Sequence, residues 1–156
     1  MAKQGRQTFY AIATLTDAAT AQCRATRLQD GLANAEAAYN DALAAFGPAA
    51  ALTQAVAYTR AACMIPAQRF DAAASLLEGI DPKNVAALAG DPNWGANLDL
   101  AKAQIAFARH DFAGARKYLD AAKPGFSVPK AEAYQVRAVS VLDSALLARE
   151  AAQPRQ

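Results

Sequence analysis

Two stretches lying 42 residues apart decide how this chain folds: Gln68-Arg69-Phe70-Asp71-Ala72-Ala73-Ala74-Ser75-Leu76-Leu77 and His110-Asp111-Phe112-Ala113-Gly114-Ala115-Arg116-Lys117-Tyr118-Leu119. Each places an aromatic residue, an alanine three positions on and a leucine four further, the steps that line one face of a helix. Sliding the chain by the same interval also pairs Val56 with Leu98, Arg60 with Lys102, Ala61 with Ala103, Cys63 with Ile105, Ile65 with Phe107, Glu78 with Asp120 and Pro82 with Pro124. A fixed period of about 20 to 50 residues marks a chain built from repeated supersecondary units.

Outward from these stretches, turn residues fall at Gly31, Gly47-Pro48, Pro66, Gly79 to Pro82, Gly90 to Gly95, Pro124-Gly125 and Pro129. They cut the chain into seven predicted helices over 7–28, 31–46, 52–66, 69–79, 93–109, 111–122 and 129–150, with an extra turn near 83–89. Phe9, Ile12, Thr16, Ala19 and Cys23 share one face of the first, and Val56, Cys63 and Phe70 continue the same kind of stripe. Leu98, Ala101, Ile105 and Ala108, widened by Leu100, Ala103 and Phe107, predict a helix that packs on two sides. In the last segment Tyr134, Ala138, Val141, Leu142 and Ala145 form the apolar stripe, leaving Lys130, Gln135, Arg137, Ser144 and Arg149 for solvent.

Composition agrees. Of 156 residues 44 are Ala and only 8% are aromatic, which favours helices because Ala loses no side-chain entropy there and fills a strand face poorly. The net charge of +2 comes from scattered charges of both signs, so no footprint for nucleic acid is visible. No apolar run approaches the roughly 18 residues of a membrane span, and Met1 to Arg6 is not followed by the apolar core of a signal peptide. Arg6-Gln7-Thr8 runs almost directly into a helix, as in an excised domain.

The paired stretches resemble the turn and second helix of a tetratricopeptide repeat, in which an aromatic opens the second helix and a small Ala lets the first approach. Gly31 to Leu43, followed by Phe46-Gly47-Pro48 and Leu52, resembles the longer, kinesin-light-chain-like variety with a period near 42. The resemblance covers about 22–124. It implies an all-α fold, a right-handed stack of antiparallel helix hairpins (units about 8–46, 52–82 and 94–124) closed by a capping helix at 129–150, in one domain over 1–156. Ala35, Ala73 and Ala115 are then the expected points of close helix contact. Arrays of this kind resemble the C-terminal sensory or docking regions of some bacterial regulators and Ser/Thr kinases. The default compartment is the cytoplasm, or the periplasm where such a region lies beyond a membrane anchor.

Catalytic chemistry finds little support. His110 is the sole imidazole and lies in a turn, where a solvated residue is expected rather than a general base. No metal-ligand spacing and no phosphate-binding glycine loop is present, so no cofactor or metal is expected. Cys23 and Cys63 both sit on apolar stripes and read as buried free thiols, unless the chain is exported. Asp17, Asp71, Asp91 and Asp111 read as helix caps. What remains is a surface. Arg60 and Lys102, one period apart, are expected to present cations on the concave face, with Tyr58, Thr59 and Asn97 beside them and Trp94 in the loop before. The expected function is therefore a non-catalytic module that binds a protein or peptide, an extended acidic segment or C-terminal carboxylate among the candidates. A small-ligand sensory domain and a self-associating structural protein are the alternatives.

Ala115→Leu is expected to cost about 1–3 kcal/mol by overpacking and to lower the melting temperature by several degrees; an unchanged melt contradicts the hairpin register.

Overall fold

The computed structural model describes residues 2–129 and 131–152, with side chains from Thr8 onward. They form eight helices, with no strand among the described residues. The chain divides into two compact units at Asp91/Pro92. The first holds α1 (Ala2–Arg24), α2 (Leu28–Phe46), α3 (Ala51–Met64), α4 (Phe70–Glu78) and α5 (Pro82–Ala89). The second holds α6 (Gly95–Ala108), α7 (Phe112–Phe126) and α8 (Ala133–Ala152). Within the first, α1 packs on α2, α2 on α3 and α3 on α4, while α1 and α5 also reach α3. Within the second, α6 packs on α7 and α7 on α8.

The period is written into the backbone. Among the described residues three non-glycine residues adopt left-handed conformations: Thr26 at φ 63°, Gln68 at φ 60° and His110 at φ 62°, each 42 residues from the next. In every case the amide of the following residue donates to a carbonyl five positions back: Arg27 to Gln22 at 2.9 Å, Arg69 to Met64 at 3.0 Å and Asp111 to Ala106 at 2.9 Å. This bond satisfies a carbonyl that the helix end leaves without a partner, and it reverses the chain. The next helix then begins two residues beyond the left-handed residue, at Leu28, Phe70 and Phe112.

Packing follows the same register. Ala19, Ala61 and Ala103 are fully buried, as are Ala73 and Ala115, with Leu77 and Leu119 one helical turn further. Their counterparts in α2 are Gly31 and Ala35, both buried. Gly31, predicted as a turn, lies inside α2, where a β-carbon would land on Cys23 Sγ and lie 3.2 Å from the Ala19 carbonyl oxygen. It is a point of close approach, and no break in the helix.

The atom that crowds Gly31 corrects the expectation of free thiols: Cys23 and Cys63 form a disulfide, with Cα atoms 5.5 Å apart. The bridge fastens the C-terminal turn of α1 to that of α3. Two residues lying 40 apart in a 42-residue period fall at nearly the same height on successive first helices, close enough to bond.

Other differences have local causes. The turn at Thr26 ends α1 at Arg24, short of the predicted 28, with no Gly or Pro to signal it. The extra turn near 83–89 is a full helix, capped by the Asp81 carboxylate on Lys83 N–H at 2.9 Å, begun by Pro82 and ended by left-handed Gly90. It packs on α3 with Val85 buried, while Asn84 donates to the Ala49 carbonyl. Helix α7 runs past the predicted end at 122 and through Pro124 to Phe126. Proline removes a single hydrogen bond there, Gly125 lets the backbone approach Ala96, and Phe126 is buried in the core. Asp111 caps α7 through Gly114 N–H and Asp71 lies in the first turn of α4, whereas Asp17 falls in the middle of α1. Lys130 lies outside the described residues.

Closing a 40-residue loop in the unfolded chain accounts for about 4 kcal/mol of stability in the chain-entropy model. Cys23→Ala with Cys63→Ala is therefore expected to lower the urea midpoint in proportion, and reductant to reproduce the loss in the parent chain. A midpoint insensitive to both contradicts the bridge.

Candidate functional site: the cleft between α6 and α8

The second unit is built around α7. Its apolar side, Ala115, Leu119, Ala122 and Phe126, meets Ala96, Leu100, Ala103 and Ala106 of α6, with Leu142 and Leu146 of α8 in the same core. Burial of a leucine such as Leu119 or Leu146, both fully enclosed, is worth about 1.5–3 kcal/mol.

A cluster of charges fixes how α8 sits on α7. Arg116 binds Asp143 and reaches Glu150 at 3.0 Å, both on α8, while Lys123 Nζ lies 3.0 Å from Asp143 and 3.1 Å from Asp120. The Arg116 hydrogen bond, joined by that of Lys123, holds the Asp143 carboxyl below the usual carboxylate range. The same contacts raise both cations above their ordinary values. Arg149 stacks over the Phe112 ring at 5.2 Å, and Gln135 donates to the nearly buried Asn97 carbonyl oxygen of α6.

With that side of α8 tied down, another side faces an open cleft of about 500 Å3 against α6. Helix α6 contributes Gln104 and Phe107. Helix α8 contributes Tyr134, Ala138, Val141 and Ala145 along one stripe, with Leu142 at the floor and Arg137 at the edge. Tyr134 and Val141 remain 43% and 62% exposed, so the stripe predicted to be the packing face of this helix is buried at Leu142, covered only in part at Ala138 and Ala145, and open at Tyr134 and Val141. The face that packs is centred on Leu142, a member of that stripe, and on Leu146, which is not. Gln135, predicted to face solvent, is the residue that binds Asn97.

The residues singled out for a concave surface fall in both units. Arg60 stacks on Tyr39 at 5.2 Å and pairs with Glu36 at 2.8 Å, both on α2. Half-buried Thr59 turns its hydroxyl back to the Ala55 carbonyl, and Tyr58 is half-buried. In the second unit Lys102 lies 5.9 Å from the Tyr118 ring centroid on α7. Burial holds the nearby Asp99 carboxyl above its usual value, against the opposing pull of Lys102. Trp94 is half-buried just before α6. None of these six residues lines the cleft.

His110 is exposed and sets its ring edge against Phe112. Among the described residues no three His, Cys, Asp or Glu side chains gather to hold a metal, and no helix is long and apolar enough to cross a membrane. Comparison with known families, with curated proteins and with solved structures finds no match for this chain.

Because the pKa of Asp143 is depressed in the folded protein, its contribution to stability is present above the ordinary carboxylate value and is lost as the pH falls through the folded one. Asp143→Asn is expected to melt at a lower temperature than the parent at pH 7, with the gap narrowing below about pH 4. A gap unchanged between neutral and acid pH contradicts the clamp between α7 and α8.

Proposed function

We propose that this chain is a non-catalytic interaction module of tetratricopeptide-like hairpins, and that it takes a peptide segment of a partner protein into the cleft between α6 and α8. The observation that carries the reading is the exposed part of the α8 stripe, Tyr134 and Val141, beside Phe107: a helix face of this kind, left open next to a second helix, has the form of a recognition groove. The supporting pattern is the left-handed turn repeated at Thr26, Gln68 and His110, the feature expected of a chain assembled from equivalent hairpins. Surfaces made by such hairpins act by shape and by spaced side chains, and need no titrating centre. The Cys23–Cys63 bridge supports an oxidising compartment, such as the bacterial periplasm, as the place of action.

Selection of a displayed peptide library on the full chain tests the reading. Enriched peptides are expected to bind with dissociation constants near the micromolar range, about −8 kcal/mol. Val141→Asp is expected to weaken them at least tenfold while leaving the melting temperature unchanged, because Val141 is exposed. Failure to enrich any peptide, or binding indifferent to Val141→Asp, contradicts it.

A further inference from the structure

We infer that the segment entering this cleft carries a side-chain carboxylate next to its apolar anchor, and that Arg137 reads it. The inference rests on the cleft being a peptide site and adds the chemistry of the occupant.

The walls of the cleft are apolar: Phe107, Ala138, Val141 and Leu142 ask for an aliphatic or aromatic side chain. The one charged residue lining it is Arg137, which is exposed and has no carboxylate partner among the described residues. Lys117, which does not line the cleft, shares that isolation, whereas other cations of the unit are engaged. Arg116 and Lys123 are held by Asp143, Asp120 and Glu150, Arg149 covers Phe112, and Lys102 covers Tyr118. The sequence of this unit is cationic overall, since residues 92–156 contain nine Lys and Arg against six Asp and Glu. Three of those acids are spent on the clamp between α7 and α8, and Asp111 on its cap. An apolar pocket edged by one unpaired guanidinium in a cationic unit complements an apolar residue flanked by Asp or Glu, and repels one flanked by Lys or Arg. The guanidinium fork also favours a planar carboxylate over a neutral amide.

Fluorescein-labelled, C-terminally amidated peptides sharing one leucine-rich apolar face, with Glu, Gln or Lys beside it, read this out by anisotropy on the full chain. The Glu peptide is expected to bind about five- to tenfold more tightly than the Lys peptide at low salt, the scale of one exposed charge pair with its repulsive counterpart. Arg137→Glu should invert that order and Arg137→Gln should flatten it, with melting temperatures unchanged. Equal affinity for the three peptides, or an order insensitive to Arg137→Glu, overturns the inference. In that case binding still abolished by Val141→Asp keeps the interaction reading intact. If no peptide binds and library selection is also empty, both fall. Concentration-dependent dimerisation abolished by Val141→Asp makes a second copy the occupant, and likewise overturns the inference.

Discussion

The left-handed residue that reverses the chain at Thr26, Gln68 and His110 is the constraint on which the rest of the structure depends. It ends one helix with its carbonyls satisfied, and two residues later the next helix begins in a fixed orientation. A fixed orientation brings the same positions of each pair face to face. These are therefore occupied by residues small enough to let backbones meet: Ala19 and Gly31 in the first hairpin, Ala61 and Ala73 in the second, Ala103 and Ala115 in the third. The abundance of alanine is in part a consequence of this geometry, repeated at a 42-residue step.

What differs between the units is how a first helix meets the one that follows its hairpin. In the first unit α1 and α3 are drawn together by the Cys23–Cys63 bridge, and the sulfur fills the space that a side chain at Gly31 would need. In the second unit α6 and α8 are joined by the Gln135–Asn97 contact at one end and leave a cleft along the remainder. The charge cluster on α7 and α8 decides which way α8 faces. Asp143 and Glu150 engage Arg116, Leu142 and Leu146 enter the core, and the Tyr134–Val141 stripe is left looking onto Phe107. The open cleft thus comes from a packing choice made on the opposite side of the helix.

Much of the scaffold is legible in the sequence because its signals are local or strictly periodic. The Phe70-Ala73-Leu77 and Phe112-Ala115-Leu119 spacings place α4 and α7, and Asp81-Pro82 with Gly90 frames α5. The left-handed positions carry no Gly, and only the second of the three turns holds a Pro, Pro66, so the common turn shows only when three residues of unrelated type are compared across the period. Gly31 misleads for the complementary reason, since a glycine admitted for close approach looks the same in sequence as one admitted for a turn. The disulfide and the orientation of α8 depend on pairs far apart in the chain, Cys23 with Cys63 and Arg116 with Asp143, which local periodicity does not report. The cleft residues were visible as an apolar stripe, and the i, i+7 placement of Asp143 and Glu150 was the available sign that another face of that helix is tied down.

The effect of glycine at the three turn positions tests the central claim most directly. Inside a helix, glycine costs about 0.5–1 kcal/mol relative to alanine, whereas at a left-handed position it relieves a steric cost of about 1–2 kcal/mol. Thr26→Gly, Gln68→Gly and His110→Gly, compared with the corresponding alanine variants by urea denaturation, should each be the more stable member of its pair. Glycine variants less stable than their alanine counterparts at these positions would contradict the repeated turn and the register built on it.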